Sequence, residues 1–185
     1  MASTRGAERT LADVLRLSTS HEELIALDAS LAFALARRDV TRARELTAAV
    51  FPRPFALPPL LDTDIAQFAE KLATAPDQEG WWGWLVIDSM RTIVGFVLCT
   101  PPDADGVSMI GWSTYPEHRG KGHARRAAQT LVEWAFRFAS VRVIRATIPP
   151  ALDASRHLAT RLGMTLVGTD MNDEVGEVHV FELTR

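Results

Sequence analysis

Apolar and polar positions along the chain switch repeatedly between short continuous runs and helical spacing. Leu24-Ile25-Ala26-Leu27 is the first continuous run and predicts a strand. Asp28 then stands as an N-cap ahead of a helix carrying Leu31, Phe33 and Leu35. Asp39 predicts the cap of a second helix with Ala43, Leu46 and Val50 on one face. From Phe51 to Leu60 the run F-P-R-P-F-A-L-P-P-L predicts neither helix nor central strand, since its prolines remove donors and bias their neighbours to extended forms. A rigid loop inside the domain is the expectation there, with a proline-rich ligand segment as the alternative. A third helix places Ile65, Phe68 and Leu72 together.

Two apolar runs, Trp81–Ile87 and Thr92–Leu98, flank the short turn Asp88-Ser89-Met90-Arg91 and predict a β-hairpin. Within the first, strict alternation would turn Trp82 and Trp84 to one face and Trp81 to the other, so one side can line a pocket. A turn at Pro101–Gly106 leads into a strand over Val107–Ser113. Ala124, Ala128, Leu131, Ala135 and Phe138 then recur at helical spacing. Val141–Ile148 predicts a strand, and a short helix from about Ser155 to Leu162 stops at Gly163. Met164–Gly168 and Val178–Leu183 predict two last strands joined by the acidic loop Asp170–Glu174. Residues 1–20 read as an N-terminal extension with one short helical pattern, Thr10 as its cap and Leu11, Val14 and Leu15 behind it. Residues 21–185 read as one domain.

Bulk numbers agree with a single globular domain: 185 residues, 47% hydrophobic and 23% charged. A net charge of −3 argues against nucleic acid as a partner. The one cysteine, Cys99, excludes an internal disulfide and, with no apolar signal core near the start, points to the cytoplasm. No apolar run reaches the ~20 residues that span a bilayer, so no membrane is expected.

The segment richest in chemistry is M-I-G-W-S-T-Y-P-E-H-R-G-K-G-H-A-R-R-A-A, from Met109 to Ala128. A strand stopped by Pro116 is followed by Arg119-Gly120-Lys121-Gly122-His123-Ala124 and then the long helical pattern. Paired glycines let successive N–H groups converge, and a helix start adds the positive end of its dipole, so the segment suits an anion. Arg119, Lys121, Arg125 and Arg126 add cations. A P-loop would need Ser or Thr after Gly120-Lys121, where Gly122 stands. A dinucleotide fingerprint would need a third glycine where Arg125 stands. Arg119-x-x-Gly122-x-Ala124 does fit R-x-x-G-x-[GA], the coenzyme A pyrophosphate loop of the GNAT N-acyltransferases.

With that loop in its frame, nearly the whole chain resembles the GNAT superfamily, and within it the branch that acetylates ribosomal-protein N-termini. Ile110-Gly111-Trp112, Pro116–Gly122, and Ser155 with Arg161-Leu162-Gly163-Met164 carry the resemblance. It implies an α/β (α+β) fold: a mixed, mostly antiparallel sheet of about seven strands flanked by helices and splayed between strands four and five. It implies acetyl-CoA as cosubstrate, with no metal. Trp112, Ser113 and Thr114 would pair with the pantetheine arm, and Arg119, Gly120, Lys121, Gly122, His123 and Ala124 would hold the pyrophosphate. Ser155 would act as general acid toward the leaving thiolate, or serve as the N-cap of its helix.

Two positions depart from the branch. Leu152 stands where it usually carries Asn, and Met109 where a glutamate can order water as general base. Glu117, His118, Asp103, Asp105, Asp173 and Glu174 are the other titratable candidates. Without a strong base the acceptor must arrive neutral. An α-amine of pKa ~7.8 is about one-third neutral at pH ~7.5, a lysine-like amine of pKa ~10.4 only ~0.1%. The expectation is therefore an N-acetyltransferase acting on a small-molecule or peptide α-amine, or another amine of low pKa. A catalytically weakened acyl-CoA-binding or sensor module is the alternative, favoured by Met109 and Leu152. A homodimer is compatible with the sequence.

Overall fold

The computed structural model describes residues 14–185. Its eight-stranded sheet comprises β1 (Arg16–Ser18), β2 (Glu22–Ala26), β3 (Trp84–Asp88), β4 (Ile93–Cys99), β5 (Val107–Thr114), β6 (Val143–Ile148), β7 (Thr165–Asn172) and β8 (Gly176–Thr184), in the spatial order β1-β2-β3-β4-β5-β6-β8-β7. Among the described residues five α-helices flank it: α1 (Ala29–Ala36), α2 (Val40–Thr47), α3 (Pro59–Thr74), α4 (His123–Ala135) and α5 (Asp153–Arg161). Asp28 and Asp39 cap α1 and α2 as expected, accepting from the N–H of Leu31 at 2.7 Å and of Arg42 at 3.0 Å. α3 starts inside the proline-rich run, with Pro59 at its first position, where a missing N–H costs nothing.

The sheet divides the core in two. Leu31, Leu35, Leu61, Ile65, Phe68 and Leu72 pack α1 and α3 on one face. Ala127, Ala128, Leu131, Trp134 and Ala135 pack α4 on the other, against Trp84, Val97, Ile144 and Phe181. Each large side chain buried this way contributes about 1.5–3 kcal/mol relative to exposure.

Every strand pair is antiparallel except β5 with β6. That parallel pair is short: Val107, Ser108 and Met109 sit opposite Val143, Ile144 and Arg145. β5 continues to Thr114 and β6 to Ile148, so the two part after Met109 and Arg145. The splay lies between the fourth and fifth of the strands read from the sequence, and β1 is the strand beyond the expected seven.

Several expectations are corrected. Val14 and Leu15 are not helical: Leu15 accepts from the Ala26 N–H at 3.0 Å and the chain continues into β1, which pairs with β2. Thr10 and Leu11 lie outside the described residues. Trp81 and Trp84 share a cluster, with Trp82 between the two halves of the core, because Gly83 at φ +143° breaks the alternation assumed there. Val50 lies past the end of α2 and is exposed, and Phe138 lies past the end of α4. Asp170, Met171 and Asn172 belong to β7, which leaves only Asp173–Val175 as the acidic turn.

Candidate active site

The two strands that part are each followed by a helix. In an open parallel pair the carboxyl ends of the strands and the helix starts beyond them form the crevice where ligands bind. Here that places the Arg119–Ala124 loop with α4 and the Pro149–Leu152 turn with α5 at one end of the gap between β5 and β6.

Main-chain direction along β5 follows from two bonds to its other neighbour. Met109 accepts from the Thr100 N–H at 2.9 Å, and the Tyr115 N–H donates to the Val94 carbonyl at 3.1 Å. Alternation then turns the backbone groups of Met109, Gly111, Ser113 and Tyr115 toward β4, and those of Ile110, Trp112 and Thr114 toward the gap. Of the three positions expected to pair with an extended ligand, Trp112 and Thr114 are so placed and Ser113 is not. The Ser113 hydroxyl is buried without a hydrogen-bond partner.

Past β5, a 3₁₀ turn over Pro116–His118 leads into the loop. Gly120 and Gly122 both adopt left-handed φ, +76° and +80°. Gly122 is the N-cap of α4, and the first helical N–H to reach a carbonyl is that of Arg126, on Gly122 at 3.1 Å. The N–H groups before it project from the helix start, where the dipole is positive. Arg119, Lys121 and Arg125 are exposed, and Arg119 Nε donates to the Thr114 carbonyl at 3.4 Å. Arg126 is not a free cation: its guanidinium is bound to Glu22 of β2. Burial by itself would raise the Glu22 carboxyl, but hydrogen bonds from Arg126, Thr19 and His123 outweigh it and hold the group at about 2. Sequence reasoning missed Glu22, which lies about a hundred residues from Arg126 and His123 and belongs to no motif.

Ser155 is the third residue of α5, half-buried, and the cap position belongs to Leu152, so the N-cap reading is corrected. Leu152 itself is exposed and uses its carbonyl to accept from the N–H of Ser155 at 3.0 Å and of Arg156 at 3.1 Å.

On the sheet face toward α3, Met109 has Arg145 as its neighbour across the parallel register, and Arg145 has Glu182. Arg145 Nε donates to Glu182 Oε1 at 2.8 Å. Gly111 lies on the same face, where an added Cβ would stand 3.0 Å from Leu60 of α3. Burial, and to a lesser degree the charge of Glu174 in the β7–β8 turn, raises the Asp64 carboxyl of α3 above its ordinary value. Neither Asp64 nor the Arg145–Glu182 pair had a signal in the sequence. Asp103 accepts from the N–H groups of Asp105 and Val107, each at 2.9 Å, and builds the turn at the other end of β5, away from the splay. Burial pushes the Cys99 thiol up to about 12, so it is protonated and inert at neutral pH.

Residues 22–165 match the family model described as "Acetyltransferase (GNAT) domain". The chain belongs to the GNAT acetyltransferase family, whose acyl donor is acetyl-CoA. Among curated proteins it is 30% identical over 104 residues to the uncharacterized N-acetyltransferase YjdG of Bacillus subtilis, covering 55% of this chain and 62% of that protein, which is less than two thirds of its length. Among solved structures it is similar to RimL, a ribosomal L7/L12 alpha-N-protein acetyltransferase in complex with coenzyme A, with a TM-score of 0.65 and 15% identity over 93% of this chain and 98% of that one. The spermidine/spermine N-acetyltransferase SpeG of Vibrio cholerae has a TM-score of 0.62 and 16% identity over 90% of this chain and 95% of that one. At such identities the structural likeness speaks for the fold. No described helix is long and apolar enough to cross a membrane.

Proposed function

We propose that this protein transfers the acetyl group of acetyl-CoA to a primary amine of low pKa, foremost an α-amine, by direct attack of the neutral amine on the thioester. The observation that carries this reading is the parting of β5 from β6 beside the start of α4. Main-chain groups of Trp112 and Thr114 would take the amide-rich pantetheine arm as an added strand would. The loop from Arg119 to Ala124 would hold the pyrophosphate with N–H groups of Gly120–Ala124 and the Arg119 and Lys121 charges. Ser155, at the same end of the gap, would give its hydroxyl proton to the departing thiolate and recover one from the nitrogen made cationic by the attack, so that the amide and the free thiol form with no net proton left on the enzyme.

The acceptor would enter on the face carrying Met109, between α3 and the β7–β8 turn. Met109 cannot take a proton, and the nearest carboxylate across the sheet, Glu182, is engaged by Arg145. An acceptor already neutral at working pH removes the need for a base, which is why an α-amine fits better than a lysine side chain. RimL is named for acetylating a protein α-amine and SpeG for polyamines. The first is the closer model for the acceptor here, as a peptide N-terminus or a small molecule of like basicity. Met109 also favours a second reading, an acyl-CoA-binding module with weakened catalysis. Thiol release from acetyl-CoA, measured over α-amino peptides, spermidine and lysine analogues, separates the two. Peptide α-amines should raise release well above hydrolysis. Tight coenzyme A binding with no amine-dependent release would leave only the binding module.

A further inference from the structure

The Glu22 side chain has 0% exposure, although it opens an early strand and its sequence neighbours Ser20 and His21 are exposed. Its two oxygens are fully engaged. Oε1 accepts from His123 Nδ1 at 2.8 Å and Arg126 Nε at 2.9 Å, and Arg126 Nη2 binds it as well. Oε2 accepts from Thr19 Oγ1 at 2.5 Å and Arg126 Nε at 2.9 Å. Because the carboxylate can only accept, His123 carries its proton on Nδ1, which fixes the ring's tautomer. An ion pair with one buried partner is weak evidence for stability, because an apolar pair of similar volume often does as well. Its geometric effect is specific. Arg126 Nη2 also donates to the Lys121 carbonyl at 3.1 Å, and Arg126 Nη1 lies 2.8 Å from where a Cβ on Gly122 would stand. The guanidinium therefore lies under the Lys121–Gly122 backbone, while His123 opens α4 directly beyond it.

We propose that Glu22 is a positioning residue for coenzyme A: its carboxylate holds Arg126 and His123 so that the Lys121–Gly122 backbone and the first turn of α4 are set in place for the pyrophosphate. Arg126 then acts from beneath the loop as a brace, and direct contact with the phosphates falls to Arg119, Lys121 and the main chain. The inference rests on reading that loop as the pyrophosphate site.

Calorimetric titration of coenzyme A into wild type, Glu22→Gln and the double variant Glu22→Leu/Arg126→Met tests it, with a melting curve for each. Glu22→Gln should weaken binding roughly tenfold, one charge-assisted contact held out of place, and raise the KM for acetyl-CoA in step while kcat stays within about twofold. The double variant, with an apolar pair in the same volume, should keep a wild-type-like Tm and still bind weakly. A purely structural Glu22 would move the Tm and leave the affinity of the folded protein unchanged. Wild-type affinity in a folded variant of either kind overturns the proposal. Wild type with no affinity for coenzyme A overturns the reading of the loop itself.

Discussion

The two sides of the gap between β5 and β6 are built in opposite ways. The side proposed to hold the donor is nearly continuous in sequence, from Trp112 on β5 to Arg126 on α4, and would work through main-chain groups beside two left-handed glycines and the Glu22–Arg126 pair. The side proposed for the acceptor is assembled from α3, β6, β8 and the β7–β8 turn, with side chains as far apart in sequence as Asp64 and Glu182. Its outer strand β7 is exposed along all eight residues. A ligand common to a whole family can be gripped by backbone, which depends on where glycines and helix starts fall. A variable acceptor has to be read by side chains, which can come from anywhere in the chain.

The sharpest way to break the donor side is Gly122→Val. The residue would carry a branched Cβ at φ +80°, a conformation such side chains rarely adopt, and that Cβ would press on the Arg126 guanidinium 2.8 Å away. Loss of two charge-assisted contacts at about 1.5–3 kcal/mol each should weaken coenzyme A binding roughly a thousandfold. Gly120→Ala is the internal comparison. Its Cβ would meet no atom within 4 Å, so only the cost of the +76° backbone, about 1 kcal/mol, should appear, in the melting curve. Wild-type coenzyme A affinity in folded Gly122→Val would mean that the loop does not hold the pyrophosphate.

Ser155→Ala probes the place where the two sides meet. As α5 takes its cap position from Leu152, the serine has no capping bond to lose, and the variant should melt within about 0.5 kcal/mol of wild type. If its hydroxyl protonates the thiolate, kcat should fall about a hundredfold, the low end for general acids because a thiolate leaves readily, while the KM for acetyl-CoA holds. An unchanged kcat removes Ser155 from the chemistry.

What the sequence made legible follows the same division. The caps at Asp28 and Asp39 and the glycine turn at the start of α4 rest on local rules, capping residues and glycines at a helix start, whereas the splay was implied only by the family resemblance. The misreadings arose where pairing with another segment overrode a local helical or charge pattern. β1 exists because it pairs with β2 just beyond it, and Arg126 looked like a free cation because Glu22 lies about a hundred residues away. The tryptophan faces were misassigned because one glycine turns the chain before β3 begins. Asp64 gave no signal, since a carboxylate on the polar side of a helix looks solvated until the turn bearing Glu174 is brought near it.

Met109 offers the smallest and most informative effect on the acceptor side. With no base at that position, the rate should rise with pH through the acceptor's own pKa, and the profile should shift when a less basic amine is supplied. Met109→Glu would place there the carboxylate that the sequence resemblance leads one to expect, but its neighbour across the sheet, Arg145, already pairs with Glu182 and would pair with the new carboxylate too. Pairing with a guanidinium lowers a carboxylate's pKa and weakens it as a base. The gain should therefore be modest, about two- to fivefold in kcat/KM on amines of high pKa and nothing on α-amines that are already partly neutral. Removing the competitor with Arg145→Met in the same protein should enlarge the gain. A wild-type profile fixed at one pH for acceptors of very different pKa would sink this account. It would assign the deprotonation to a side chain of the enzyme, with His118 and the Asp64–Glu174 carboxylates the first to substitute.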